Sequence, residues 1–191
     1  MLAHHLATMA HQNAWANHRL LAACTQLTQD DFVARRTSFF PSIKATLNHI
    51  VTVDWYYVDA LERGVRGEPV NPRARDYFEP EEPFETCPAL SQAQHAVDRR
   101  LVALCEGLRD DQLAIVCEVQ RERRVDRENI VRLLSHLFEH QIHHRGQVHA
   151  MLAGTPVAPP QLDEFFLEAE ESLRAKELAE LGTSDAAIWR R

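Results

Sequence analysis

The segment Arg127–Gly154, RENIVRLLSHLFEHQIHHRGQVHAMLAG, decides the fold of this chain. Its apolar residues recur at alternating spacings of three and four, which places them on one face of an α-helix. Two histidines and a glutamine occupy positions of the same face. The face consists of Ile130, Leu133, Leu137, His140, His144, Gln147 and Met151. A helix with this pattern packs into a helix bundle, so the three polar side chains are expected inside it.

His140 and His144 are four residues apart, about one turn of an α-helix. Side chains at this spacing lie on one face with Cβ atoms about 5–6 Å apart, so both imidazoles can reach one metal ion at about 2.0–2.1 Å. Burying an unpaired polar group costs on the order of 1–3 kcal/mol, and a shared cation removes that cost. The alternative is two structural core histidines that bond to carbonyls or to each other. Their position in the apolar face favours the metal site.

Length and composition predict one domain over residues 1–191, because 45% hydrophobic residues suffice for one sizeable core. The chain has no run of 18 apolar residues and no signal-peptide pattern at its N-terminus, so a soluble, cytoplasmic protein without a membrane partner is expected. The four cysteines show no C-x-x-C spacing, which favours reduced, buried thiols. A net charge of −7 argues against nucleic acid as a partner.

A first amphipathic helix is predicted over residues 2–27, where apolar residues form a heptad-like stripe. The stripe also contains a polar residue, Asn13. His4, His11 and His18 repeat every seven residues, but each lies two positions after a member of the stripe. They are therefore predicted to face solvent and not to bind metal.

A second helix is predicted from Pro41, which suits a first helical turn, to about Arg63, with Gly64 as its C-terminal cap. Its core stripe is Ile43, Leu47, Ile50, Tyr57 and Leu61. Asp54 lies inside that stripe. His49 lies at its border, where a histidine is more typical of structure than of metal binding. It becomes a candidate ligand as a third imidazole beside the pair in the later helix.

Residues 65–90 contain five prolines, so a long surface loop without regular structure is predicted. Arg73, Arg75 and Tyr77 are candidate substrate contacts in this loop.

Ser91 and Gln94 form a capping-box pattern at the start of a third helix that ends near Gly107. Residues 113–120 are short and β-branched, which favours a strand or hairpin, and the basic run 121–127 is predicted to be a turn or strand edge. Asp126 is the predicted cap of the histidine helix. A last helix is predicted over 162–181, followed by a tryptophan at position 189 that is expected to dock on this chain or on a second subunit.

The segments HQNAWANHRLL, SFFPSIKATLNHIVTVDWYYV and SHLFEHQIHHRGQVHAML together resemble the DinB family of DinB/YfiT-like metalloenzymes over roughly residues 1–167. The signature H-x-x-x-H-R-G-Q starts at His140 and follows an upstream L-N-H-I. The resemblance implies an all-α fold, an up-and-down four-helix bundle, with a divalent metal held by His49, His140 and His144. It also implies a homodimer. Residues 162–191 are then an additional C-terminal helical extension.

Some relatives use a low-molecular-weight thiol, mycothiol or bacillithiol, as co-substrate, so such a thiol is a candidate co-substrate here, with water as the alternative. Three neutral imidazoles leave a divalent ion its full charge and an open coordination position, which is typical of catalytic sites. Imidazole ligands suit Zn or Ni, and Fe, Co and Cu are also compatible. The expected function is a metal-dependent enzyme acting on a small molecule, S-transferase-like or hydrolytic. The alternative is a non-catalytic, metal-binding helical bundle of the stress response.

The sequence assigns no catalytic residue, because it has no G-x-S-x-G elbow, Gly-rich phosphate loop or paired carboxylates at diagnostic spacing. Candidates for orienting the metal ligands or transferring a proton are His136, Asn13, Asp54 and Gln147. His143 lies on the flank of the same helix face, where it is predicted to be a boundary residue.

Overall fold

The structure is a computed structural model that describes residues 1–189. These residues form seven α-helices and one two-stranded sheet. The helices are α1 (Leu2–Cys24), α2 (Gln29–Val33), α3 (Ile43–Arg66), α4 (Cys87–Gly107), α5 (Ile130–Leu152), α6 (Glu171–Glu180) and α7 (Asp185–Trp189), and the strands are β1 (Val116–Gln120) and β2 (Val125–Asn129). The mostly helical fold is as predicted. No helix in the described part of the chain has both the length and the apolar character needed to span a membrane.

The four long helices pack against one another. Helix α1 contacts α4 and α5, and α3 contacts the same two helices. On α5, the apolar side chains of the predicted face are buried, with Ile130 and Leu137 fully inaccessible. The spacing pattern therefore predicted correctly which face of α5 enters the core. The four cysteines are also buried and free of disulfides, as predicted.

Helix α3 starts and ends differently from the prediction. Ser42 caps its start, because its Oγ accepts a hydrogen bond from the Ala45 N–H at 3.0 Å. The helix continues past Gly64 to Arg66, and Gly67 ends it in the left-handed conformation at φ 67°. The predicted cap at Gly64 is wrong, because this glycine lies within the helix, where β1 approaches its backbone closely.

Replacing Gly64 with alanine is expected to destabilise the protein by about 1–3 kcal/mol, the usual cost of overpacking a core. A Cβ atom at this position would lie 2.3 Å from Sγ of the fully buried Cys117. Urea unfolding of Gly64→Ala, Cys117→Ala and the double variant measures the effect, and the double variant should recover most of the loss. If Gly64→Ala alone stabilised the protein by about 1 kcal/mol, as helix propensity predicts for alanine, the close contact would be disproved.

The connection between α3 and α4 spans residues 67–86, a shorter stretch than the predicted 65–90. It is not free of regular structure, because Ala74–Phe78 form a 3₁₀-helix. Helix α4 begins at Cys87. Pro88 fits its first turn, where a backbone N–H has no partner within the helix.

Two predicted helix caps are wrong. Ser91 and Gln94 lie inside α4, and Gln94 is only 2% exposed. Helix α5 is capped by Asn129, whose side-chain oxygen accepts a hydrogen bond from the Arg132 N–H at 3.1 Å. Asp126, the predicted cap, lies in β2 and pairs with arginine side chains instead.

A hairpin precedes α5, as predicted. Strands β1 and β2 pair in antiparallel register, and β1 packs against α3. The Arg121 guanidinium lies 5.7 Å from the ring centroids of Tyr56 and Tyr57 and donates a hydrogen bond to the Tyr57 hydroxyl at 3.2 Å. The basic run is thus a turn and a strand, whose first arginine covers two aromatic rings of α3.

The predicted helix over 162–181 is wrong in its first half, because α6 starts only at residue 171. Phe165 is fully buried and packs on Trp15 of α1, with ring centroids 5.6 Å apart. The buried Arg174 donates a hydrogen bond to the Leu167 carbonyl at 2.9 Å. A side chain therefore satisfies a backbone group here, and the segment can follow the surface of α1 without being helical.

The C-terminal segment docks on its own chain. Trp15 Nε1 donates a hydrogen bond to Glu177 of α6 at 2.7 Å, and Ile188 of α7 is 2% exposed. The ring of Trp189 lies 5.9 Å from that of Phe166. The terminal tryptophan thus contacts its own chain but is still 39% exposed, and docking on a second subunit stays a prediction.

The prediction that His4, His11 and His18 all face solvent is wrong for two of them. His11 is 8% exposed, and its Nε2 lies 3.1 Å from Glu106 Oε1 of α4. His18 Nε2 lies 2.9 Å from Glu180 Oε2 of α6. The helical stripe identified one buried face of α1, but α4 and the C-terminal segment cover further faces of the same helix.

Candidate metal centre

Three imidazoles from two helices meet where α3 packs against α5. The ring centroids of His140 and His144 are 4.4 Å apart, and that of His49 lies 5.0 Å from the first and 4.7 Å from the second. One nitrogen of each ring lies within 4.8 Å of the other two. Within residues 1–189 this is the one group of three His, Cys, Asp or Glu side chains with such an arrangement.

The separations suit a shared ion. Two nitrogens bound to one ion at about 2.0–2.1 Å lie roughly 3–4 Å apart, and the Nε2 atoms of His49 and His140 are 3.0 Å apart. His140 Nδ1 is buried without a hydrogen-bond partner in residues 1–189, which is uncommon for a buried polar atom. The three side chains therefore fit a divalent cation of the kind that imidazole binds.

Burial keeps these rings neutral. It lowers the pKa of His49 to about 4 and that of His140 to about 3, and repulsion between neighbouring imidazoles acts in the same direction. Burial also lowers the pKa of His144. The neutral ring is the form that binds a metal ion. No carboxylate of residues 1–189 forms an ion pair with these rings, so a cation held here keeps its full charge.

Gln147 fixes the orientation and the tautomer of His144. His144 Nδ1 lies 2.8 Å from Gln147 Oε1, so Nδ1 carries the proton and Nε2 presents its lone pair. Gln147 Nε2 in turn donates a hydrogen bond to Nε2 of the exposed His143 at 3.1 Å. Gln147 therefore has the position of a residue that orients a metal ligand.

The other three candidates for this role have different surroundings. His136 is exposed, with its ring 6.3 Å from that of His140 and 5.2 Å from that of Tyr57. Asn13 and Asp54 are buried, and neither forms a hydrogen bond with any of the three clustered histidines. They belong to a separate polar network.

This buried network, which sequence reasoning missed, joins α1, α3, α4 and α5. Its members are Asn13, Asn17, Asp54, Gln94, Asp98, Gln141 and Arg145. Arg145 is 3% exposed and donates from Nη1 to the side-chain oxygens of Asn13, Asn17 and Gln141. Gln94 Nε2 donates to Asp54 at 2.6 Å and to Asp98 at 3.1 Å. The network holds a guanidinium and two carboxyl groups away from water.

Burial is the largest cause of the pKa shifts of the ionisable groups in this network. It raises the pKa of Asp54 to about 7 and that of Asp98 to about 8, and it lowers the pKa of Arg145 to about 10. The guanidinium thus stays protonated near neutral pH, while the two carboxyl groups are only partly ionised there. No carboxylate of residues 1–189 forms an ion pair with Arg145.

Phe40 is a further side chain at the histidine cluster that sequence reasoning did not assign to it. Its ring lies 4.3 Å from that of His49, at an interplanar angle of 32°, and 5.6 Å from that of His144. The preceding Phe39 is 81% exposed and packs edge-on against Phe40 at 4.9 Å. The two aromatic residues directly before Pro41 could have indicated a side chain that packs on the cluster. Only Pro41 was used, to place the start of the second helix.

The cluster is partly open to solvent. His49 and His140 are half-buried, and His144 is 7% exposed. A cavity of about 560 Å³ lies beside it, lined by Phe39 and Gln147 among others. The cavity thus reaches Gln147, the hydrogen-bond partner of His144.

The loop residues predicted to contact a substrate make other contacts. Arg73 Nε pairs with Asp76 Oδ2 at 2.7 Å, and Tyr77 packs against Trp55 with ring centroids 6.3 Å apart. The three clustered histidines form no hydrogen bond, ion pair or ring contact with Arg73, Arg75 or Tyr77. Their role as substrate contacts stays a prediction.

Comparison with known families gives one match. A sequence model of the DinB family matches residues 1–178. The match extends beyond the boundary at about residue 167 predicted from sequence and includes most of α6. No curated protein matches the chain.

Proposed function

The chain belongs to the DinB family, and on that premise we propose that it binds a divalent metal ion through His49, His140 and His144. The observation that supports this most directly is the convergence of three neutral ring nitrogens within 4.8 Å. The scaffold proposed for the site is a four-helix bundle of α1, α3, α4 and α5 with the family's connectivity. Helices α3 and α5 supply all three ligands.

Metal content tests this proposal. Protein purified with a chelator, then dialysed in separate samples against Zn, Ni, Fe, Co or Cu salt, should retain about one ion per chain by elemental mass spectrometry. Zn or Ni is the expected ion. Retention of no ion by a folded protein would contradict the proposal.

The proposed activity is that of a metal-dependent enzyme on a small molecule, S-transferase-like with a thiol co-substrate, or hydrolytic. A divalent ion with three imidazole ligands lowers the pKa of a bound water to about 7 or deprotonates a bound thiol. Gln147 holds His144 in the tautomer that such a site needs. No carboxylate of residues 1–189 forms an ion pair with the three rings, which favours an anionic group as the additional ligand. A screen of low-molecular-weight thiols with electrophiles, on metal-loaded protein against His144→Ala, tests the activity.

A non-catalytic, metal-binding bundle of the stress response is the second proposal. The position of Phe40 favours it, because this ring covers His49 on one side. Replacing Phe40 with alanine distinguishes the two. If the ring closes a structural site, the variant should lose metal to chelator faster without gaining any activity in the screen. The homodimer and the cytoplasmic location stay predictions.

Replacing Gln147 with leucine is expected to lower metal affinity by about 10–100-fold, the usual effect of removing a residue that orients a metal ligand. Leucine cannot accept the hydrogen bond from His144 Nδ1. Glutamate can, so Gln147→Glu is the matched control and should stay close to the wild-type affinity. Competition with a chromophoric chelator measures both affinities. Equal affinity of the leucine variant and the wild type would show that Gln147 does not fix the ligand.

A further inference from the structure

A second cavity lies beside α5, on a face of this helix other than the one that carries His140 and His144. It is bounded by α1, α5 and the segment before α6, and its volume of about 480 Å³ is in the range of small-molecule sites. Apolar side chains form most of its wall, among them Ile142, Phe165 and Phe166. Ile142 is 49% exposed and Phe166 43%, so this wall is in contact with solvent.

Two buried polar side chains also line this cavity. Gln12 of α1 is 9% exposed, and its side chain forms no hydrogen bond with any residue in 1–189. Arg145 of α5 is 3% exposed, and all three of its hydrogen bonds leave from Nη1. The Nε and Nη2 groups of Arg145 form no hydrogen bond within residues 1–189. Both side chains line the cavity, so an amide and a guanidinium with unused donors are available to a bound molecule.

Gly146 gives the cavity a floor of bare helix backbone. It lies in the middle of α5, where glycine costs about 0.5–1 kcal/mol relative to alanine. Apart from its chain neighbours and the backbone of its own helix, a Cβ atom at this position would meet no atom of residues 1–189 within 4 Å, so packing against other elements does not require glycine there. The open space above Gly146 instead allows a bound molecule to lie against the helix.

From these observations we propose that this cavity binds a small monocarboxylate with an apolar body. Arg145 and the Gln12 amide donate to the carboxylate, in keeping with the preference of guanidinium for this group. The apolar body lies over Gly146, against Ile142 and Phe166. Asp163, at the cavity mouth, is exposed and accepts a hydrogen bond from Gln161.

Octanoate is a suitable probe, with octan-1-ol as its uncharged analogue. Isothermal titration should show saturable binding of octanoate at one site and at least tenfold weaker binding of octan-1-ol. Gly146→Leu fills the open space over the helix backbone, and it should weaken octanoate binding at least tenfold. Gln12→Leu should weaken it as well. Ala96→Leu, at an exposed position of α4, is the matched control and should bind as the wild type does.

Carboxylates also bind metal ions, so the titration is repeated on metal-free His144→Ala protein. Binding retained there separates this cavity from the metal centre, and a failure of either proposal leaves the other intact. Absence of saturable binding, equal binding by Gly146→Leu, or equal binding of octan-1-ol would each overturn the proposal. So would a loss of self-association in Gly146→Leu by sedimentation with octanoate binding unchanged, because the cavity would then be a contact between copies of the chain.

Discussion

Replacing His144 with alanine should leave the purified protein without stoichiometric metal. His144 contributes one of three imidazoles that lie within 4.8 Å of one another, and its Nε2 lone pair is directed by the hydrogen bond to Gln147. Loss of a direct ligand should cost more than the about 10–100-fold attributed to orienting residues, so the affinity should fall by more than about 100-fold. Elemental mass spectrometry after dialysis measures the metal content.

His136→Ala is the matched control for this experiment. This histidine lies on the same helix, is exposed, and its ring is 6.3 Å from that of His140. The control should keep one ion per chain. Circular dichroism must show that both variants are folded. Full metal content in folded His144→Ala would remove this residue from the site.

Replacing Arg145 with methionine is expected to destabilise the protein by about 3–5 kcal/mol, because each buried oxygen that loses its donor costs about 1–3 kcal/mol. The change leaves the side-chain oxygens of Asn13, Asn17 and Gln141 without their donor. It also removes the cation that opposes two buried carboxyl groups. For a domain of this size the melting temperature should fall by roughly 6–20 °C.

Arg132→Met is the control for this substitution. Arg132 is an exposed residue of α5 whose ion pair with Glu128 is 3.5 Å long, and such pairs contribute about 0–1 kcal/mol. Calorimetry of both variants gives the comparison. A melting temperature of Arg145→Met within about 2 °C of the control would show that the network contributes little to stability.

The sequence predicted the histidine helix well, because its signal is local. The three-and-four spacing from Ile130 to Met151 defines one face of a helix, and any histidine on that face is carried into the core with it. The sequence located His49 less well, because the spacing of its neighbours puts it only at the border of the apolar stripe of the second helix. Its approach to His140 depends on how α3 packs against α5, which the spacing of residues in one helix does not show. The resemblance to a known family indicated His49 as a third ligand.

The buried polar network shows why other features were missed. Three of its pairs have the spacing i, i+4, namely Asn13 and Asn17, Gln94 and Asp98, and Gln141 and Arg145. Asn13 was placed in the apolar stripe of α1, but nothing in the sequence indicated its partners. The two pairs on α4 and α5 indicate a polar, solvated helix face when each helix is considered alone. Such faces are buried here because α1, α4 and α5 have more than one packing partner. The same cause explains the failed prediction for His11 and His18.

The C-terminal segment was mispredicted for a related reason. The apolar residues from Leu162 to Leu181 are compatible with one helix, but Phe165 and Arg174 make contacts that require a bent path. Helix propensity is a weak term when a buried aromatic contact competes with it. Phe40 is a similar case, because its approach to His49 across a turn leaves no periodic signal in the sequence.

X-ray absorption spectroscopy of the zinc-loaded protein tests the central claim most directly. The account predicts three imidazole nitrogens at about 2.0–2.1 Å and further scattering only from oxygen or another light atom. Sulfur at about 2.3 Å, or fewer than two imidazoles in the outer-shell scattering, would contradict a site built from His49, His140 and His144.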